Sequence, residues 1–155
     1  MRTLPALFEE SVSKYSKNIL MWEKRTDKYE GTTYSEMNEL VHNFGAGLMS
    51  LGINHGDRIG LISEGRNDWV MSELGILYCG AVNVPISVKI DELSDLKFRL
   101  AHSGSRMVVV SKNHYHKIKK IKNDLPDLEK VIILDQLESY DSDEIYCGDV
   151  ALLGK

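Results

Sequence analysis

The sequence predicts an α/β fold, a mostly parallel sheet with helices on both faces, preceded by a short helix and a β-hairpin. Three observations lead there. Four short apolar runs, RIGLI (58–62), AVNVPI (81–86), RMVVV (106–110) and KVIIL (130–134), recur along the chain. Their apolar residues are consecutive, which suits strands buried on both faces, whereas an antiparallel strand with one wet face would alternate. Stretches with helical spacing at about 67–79, 91–102 and 113–124 lie between them, and alternating strands and helices build parallel crossovers.

The elements follow in order. Leu4, Leu7, Phe8 and Val12 form one stripe at helical spacing, so the first 18 residues read as a short helix. ILMWEKR and KYEGTTY both contain β-formers and flank a polar turn at Thr26 and Asp27, which predicts a hairpin. From Thr33 onward Met37, Leu40, Val41, Phe44, Leu48 and Leu51 follow the helical rule. Thr33 and Glu36 have the spacing of a capping box, and Gly52 suits the end of that helix. Gly45 and Gly47 inside it each cost about 1 kcal/mol against alanine, so close packing against their backbone is expected there. Asn67 or Asp68 is expected to cap the next helix and Gly80 to close it. Asp91 is expected to cap the following one, with Gly104 closing it, and Pro126 comes after the third. Beyond Asp135 the segment QLESYDSDEIYCGD is polar and acidic and reads as exposed, before the apolar VALLGK. The expected division is therefore an α/β subdomain at 1–135, with an acidic linker and the start of a truncated following element at 136–155.

At 155 residues and 43% hydrophobic content the chain suits one ordinary core. Nineteen lysines and arginines against 23 aspartates and glutamates leave a formal net charge of −4, which argues against a nucleic-acid partner. Cys79 and Cys147 form no C-x-x-C pair and read as buried thiols of a reducing compartment, so a cytoplasmic location is expected. Glu9 and Glu10 interrupt the N-terminus, and no later apolar run reaches the roughly 18 residues of a spanning helix. Membrane contact is expected to be peripheral at most.

Candidate chemistry is sparse. GLISEGRN (60–67) has the G-x-x-x-x-G spacing of a phosphate-binding loop, but Arg66 and Asn67 stand where lysine and a hydroxyl residue are needed, and Gly60 lies within the strand. It reads instead as a strand-to-helix turn. His114 and His116 lack a third ligand at a diagnostic spacing, and residues two apart on a helix do not share a face. Ser11 with Lys14 and Ser94 with Lys97 match S-x-x-K without its companion motifs. Lys112, Lys117, Lys119, Lys120 and Lys122 form a run that is either a solvated face or a seat for an anionic partner. Asp135 is the carboxylate best placed at a strand end, where α/β sites are built; a turn role also suits it. These residues make no complete set, and no catalytic, cofactor-binding or metal-ligating residue is assigned.

Taken in series, the stretch from Thr32 to Ser111 resembles the beginning of an acyl-CoA synthetase of the adenylate-forming superfamily. Leu51-Gly52-Ile53-Asn54-His55-Gly56-Asp57-Arg58-Ile59 is similar to that family's L-G-[IV]-x-x-G-D-[RK]-[IV] turn and strand, and Gly80-Ala81-Val82-Asn83-Val84-Pro85 to its G-A-[VI] and V-P elements. Ser63-Glu64-Gly65-Arg66-Asn67-Asp68-Trp69 resembles the S-E-N-R-x-E-W form of the long-chain fatty acyl-CoA synthetases, as does His102-Ser103, with Gly65 and Asp68 departing from it.

The resemblance covers roughly residues 4 to 135. It implies a partial domain of a larger enzyme that joins a fatty acid to coenzyme A, using ATP and magnesium. In that family the ATP phosphates are held by a later Ser/Thr/Gly-rich loop ending in P-K-G, which these residues do not contain. The chain alone is therefore expected to be catalytically silent, to bind no cofactor itself, to have the remainder of the parent enzyme as its partner, and to self-associate through faces left uncovered. The alternatives are a free-standing interaction module or pseudoenzyme of the same fold, and a small nucleotide-binding α/β protein.

Overall fold

Val108 and Val110 enter one hydrophobic core while Met107 and Val109 enter another, and all four are fully buried. They belong to β5 (Ser105–Val110), and the same two-sided burial shapes the whole computed structural model, which describes residues 3–155. Around it lie β3 (Arg58–Ile62), β4 (Val82–Pro85), β6 (Lys130–Ile133) and β7 (Glu144–Tyr146). The five strands are all parallel, in the order β4-β3-β5-β6-β7.

Helices α2 (Tyr34–Ser50), α3 (Asn67–Tyr78) and α6 (Cys147–Leu153) cover one face, with Phe44, Ile76 and Val150 inside the core. On the other face lie α4 (Leu93–Ser103) and α5 (Lys112–Ile121), which contribute Leu96, Leu100, Ile118 and Ile121. The expected α/β architecture, with helices on both faces, is the one observed. Helix α1 (Leu4–Tyr15) and the antiparallel hairpin of β1 (Ile19–Arg25) and β2 (Lys28–Thr33) precede the sheet, with Thr26 in the left-handed region at φ 55° in the turn. Of the α1 stripe only Phe8 is buried; Leu4 and Leu7 face outward because α1 meets the body along a single edge.

The capping box on α2 is complete. The Thr33 N–H donates to Glu36 Oε2 at 2.7 Å, and the Glu36 N–H donates to Thr33 Oγ1 at 3.2 Å. Gly104 closes α4 in the left-handed conformation at φ 61°, as expected of a helix-ending glycine. Two expected caps are corrected. Neither Asn67 nor Asp68 caps α3, whose N-cap is Arg66 with no side-chain bond; instead Glu23 on β1 accepts from the Asn67 N–H at 3.3 Å. Helix α4 begins after Glu92, and Asp91 does not cap it because Lys117 draws its carboxylate away at 2.9 Å.

Residues 136–155 hold more structure than an exposed acidic segment. Glu138, Ser139, Asp141 and Ser142 are indeed exposed, but Glu144 to Tyr146 add a fifth strand and Cys147 begins a helix whose Val150 is fully buried. Sequence pattern passes over this because the acidic strand becomes compatible with burial only through a lysine more than twenty residues earlier, as described below.

The glycines of α2 explain how α6 and α3 approach. A Cβ on Gly45 would stand 2.9 Å from the Gly75 carbonyl oxygen of α3, and one on Gly47 would collide with the Val150 carbonyl oxygen of α6. Gly47→Ala should therefore lower unfolding free energy by about 1–3 kcal/mol in chemical denaturation despite the gain in helix propensity. Gly65→Ala, whose new methyl meets nothing within 4 Å, should leave stability unchanged within about 0.5 kcal/mol.

Candidate functional site

From β3 the chain crosses to β4 on one side, then returns to place β5 on the other side of β3. The first crossover helix, α3, packs in one core and the second, α4, in the other. Winding thus reverses between β3 and β5, and open α/β sheets bind ligands at the carboxyl ends of strands flanking such a reversal. Here those ends are Ser63 to Arg66 after β3, Ser111 after β5, and Leu134 and Asp135 after β6.

A polar clasp joins them. Glu64 accepts from the Ser111 hydroxyl at 2.6 Å and from Asn113 Nδ2 at 2.8 Å, with His114 Nε2 at 3.7 Å. Burial alone would raise the Glu64 carboxyl, but the hydrogen bonds from Ser111, its own backbone and Asn113, with His114 nearby, outweigh it and hold it below the usual range. Arg66 donates to Asp135 at 2.8 Å and to Asp68 at 2.5 Å. Asp135 also accepts from the Lys112 N–H at 2.8 Å, at the start of α5. Burial would raise Asp135, yet Lys112 and Arg66 bring it below the ordinary carboxylate value. Asp68 moves the other way: its burial dominates and, with Glu23 and Asp135 nearby, lifts it in spite of Arg66.

This arrangement bears directly on GLISEGRN. Gly60 sits in the ladder of β3, paired with both β4 and β5, and its open face is closed by Leu100 and Val108. At the N-terminus of α3, where a phosphate would sit, the Glu23 carboxylate already accepts from the Asn67 N–H. Asp68 and Asp135 stand close by and engage the only cation of the loop, Arg66. A cleft of about 480 Å³ opens here, lined among others by Glu23, Arg66, Asp68, Asp135 and Tyr146. Its three carboxylates are matched by Lys24, Arg25 and Arg66, and Arg25 is already held by Glu23 and Arg66 by Asp68 and Asp135, so the loop is chemically a clasp between strands.

The other candidates are dispersed. His116 points to solvent, while His114 is half-buried beside Glu64. Ser11 donates to the Leu7 carbonyl oxygen within α1, and Lys97 pairs with Asp124 at 2.9 Å. Cys79 and Cys147 are unpaired thiols, and burial pushes Cys147 up to about 12. Asp141, Asp143 and Glu144 do bring three carboxylates within reach of one point. The ammonium of Lys122 takes that point, at 2.9, 2.7 and 2.8 Å from the three, and the Tyr115 hydroxyl donates to Glu144 at 2.6 Å. Burial would raise Glu144, but Lys122, Tyr115 and the Asp141 N–H hold it below its ordinary value. Glu64, Glu23, Ser111 and this lysine-centred cluster escape sequence reading because their partners lie 19 to 47 positions away; the one local signal was a carboxylate two residues after the apolar run of β3.

Comparison with known proteins places the chain. The family model described as AMP-binding enzyme matches residues 8–150. Long chain acyl-CoA synthetase 8 of Arabidopsis thaliana is 26% identical over 98% of this chain and 23% of its own length. The long-chain-fatty-acid–CoA ligase heimdall of Drosophila melanogaster is 30% identical over 86% of this chain and 20% of its own. A crystal structure of an anthranilate CoA ligase in complex with anthranoyl-AMP superimposes with a TM-score of 0.84 at 20% identity, covering 96% of this chain and 27% of that one. The chain thus spans about a fifth to a quarter of the curated relatives' length.

The buried end of the lysine cluster makes a pH-resolved prediction. Lys122 is 7% exposed and Glu144 1% exposed at their side chains, so Lys122→Met leaves a buried carboxylate unpaired and should cost about 3 kcal/mol at pH 7. Because the folded Glu144 lies below its ordinary value near 4.5, its stabilising contribution is present above that value and is lost as pH falls through the folded pKa. The gap between wild type and variant in urea unfolding should accordingly narrow between pH 7 and pH 3, and adding Glu144→Gln to the variant should recover part of it at pH 7.

Proposed function

The chain belongs to the AMP-binding enzyme family, and on that premise we propose that it is the N-terminal α/β subdomain of an ATP-dependent long-chain fatty acid–CoA ligase. The observation that carries this reading is the family match across residues 8–150, joined to relatives described as long-chain ligases on which this chain occupies about a fifth of the length. The turn Ser63 to Trp69, with its long-chain resemblance, supports the same branch. In the parent, ATP converts the fatty acid to an acyl-adenylate, and the thiol of coenzyme A then takes the acyl group, with magnesium assisting. The first step sets a carboxylate beside a triphosphate, so it needs several positioned donors to hold the developing charge.

The residues of this chain have another task in that scheme. Arg66, Asp68, Asp135 and Glu64 bind the carboxyl ends of β3, β5 and β6 to one another and to the starts of α3 and α5, which holds the edge of the sheet rigid for the polypeptide that carries the chemistry. The subdomain core is 1–135, and β7 with α6 extends it at the sheet edge. The chain by itself is inactive, its partner is the remainder of the ligase, and its setting is the cytoplasm; among the described residues no helix is long and apolar enough to cross a membrane.

Incubating the purified chain with palmitate, ATP, magnesium and coenzyme A should give no palmitoyl-CoA and no pyrophosphate, and calorimetry should give no saturable heat with ATP. Turnover, or ATP binding weakened by Gly65→Val, would overturn the scaffold assignment. Translating the gene past Lys155 should meet a Ser/Thr/Gly-rich stretch ending in Pro-Lys-Gly; a stop codon shortly after Lys155 would favour a free-standing module instead.

A further inference from the structure

Between Lys97 and Lys122 the chain carries eight lysines and arginines and no aspartate or glutamate, which leaves 11 of its 19 basic residues to face all 23 carboxylates elsewhere. This segregation runs against the net negative charge of the whole. The segment comprises the second half of α4, strand β5 and helix α5. Four of its cations are committed to partners: Lys97 to Asp124, Arg106 to Asp57 and Glu129, Lys117 to Asp91, and Lys122 to the acidic triad. Arg99 and Lys120 are exposed and form no ion pair among the described residues, the exposed Lys112 lies near the Asp135 carboxylate, and Lys119 reaches Asp141 only at 3.9 Å.

These cations share one side of the molecule. Leu96 and Leu100 of α4 and Ile118 and Ile121 of α5 enter the same core, so the two helices lie together over one face of the sheet and turn their other sides outward. On α5 the outward positions are Lys112, Asn113, His116, Lys119 and Lys120, with no carboxylate. On α4 the outward side carries Phe98, 63% exposed, its ring stacked on His102 at a centroid distance of 5.2 Å. The carboxylates around this face are partly used: Asp91, Asp124 and Asp141 are bonded to lysines and Glu92 stands at the N-terminus of α4, while the exposed Asp95, one turn before Arg99, is the one carboxylate on the outer side of that helix.

We infer that the outer face of α4 and α5 docks on the surface of an anionic phospholipid bilayer. Basic side chains with long apolar stems bring their charge to lipid headgroups, and a single projecting aromatic ring enters the boundary between headgroup and acyl chain. A nucleic acid fits less well, because the face presents one isolated ring on a convex helix pair where single-stranded ligands require successive stacking platforms along a groove. This inference is independent of the ligase reading, since it uses only the charge and shape of one face.

Flotation of the full 155-residue chain with vesicles tests it. The chain should float with phosphatidylcholine vesicles containing about a third phosphatidylserine and stay behind with phosphatidylcholine alone, and raising salt from about 0.05 to about 0.3 M should release it. The double variant Arg99→Glu/Lys120→Glu should reduce partitioning roughly tenfold or more, and Phe98→Ser should reduce it without any change of charge. Lys17→Glu/Lys28→Glu alters net charge equally at exposed sites on the α1–β1 loop and the hairpin, and should leave partitioning within about twofold. Absence of flotation, equal binding to neutral vesicles, or equal loss in the two double variants would overturn the proposal. Salt-sensitive capture by an oligonucleotide without vesicle binding would overturn it too.

Discussion

Strands β3, β5 and β6 have no wet face, and most of what surrounds them follows from that. Ile59, Leu61, Met107, Val108, Val109, Val110, Val131, Ile132 and Ile133 are all fully buried, so every peptide group among them must be paired in the ladder and every side chain must meet a helix. At roughly 25 cal/mol per Å² of apolar surface removed from water, such two-sided burial outweighs any single polar interaction in the molecule. It also dictates two helical layers, and it leaves polar chemistry only at the strand ends.

Those ends carry the charged residues that matter. At the carboxyl edge, Arg66, Asp68 and Asp135 satisfy one another and the first N–H of α5, and Glu64 accepts from Ser111 and Asn113. The reversal of winding between β3 and β5 is where open sheets commonly hold ligands, yet here it is filled with internal ion pairs. At the amino edge, Arg106 ties Asp57 to Glu129 and the Gly52 carbonyl oxygen in the same fashion. A sheet pinned at both edges is suited to act as a rigid support. The opposite directions of Asp68 and Asp135 beside one guanidinium show how finely burial and hydrogen bonding compete there.

The periphery is held by shape as well as by charge. Gly45 and Gly47 let α3 and α6 approach α2 until backbone touches backbone, which brings the C-terminal residues into the same core as β3 and β5. On the other layer α4 and α5 need no such glycines, and their outward sides are free to concentrate positive charge around Phe98. The two layers thus differ in kind: one is closed inward by contact between helices, and the other presents a chemically distinct surface.

The two-sided strands, the helices between them, the hairpin turn at Thr26 and the capping box at Thr33 were all readable from sequence, because each depends on residues within one or two turns of one another. The family resemblance was readable for a similar reason, being a series of short local motifs in fixed order. Tertiary structure alone decided that Glu23 caps α3, that Asp91 serves Lys117 in place of α4, and that acidic residues 141–144 could end in a buried strand around Lys122. The sequence already spoke against a phosphate cradle at Arg66, but tertiary structure alone decided which carboxylates that arginine clasps. Each of those outcomes joins charges far apart in the chain, and periodicity carries no information about which distant charge will arrive to neutralise a given one.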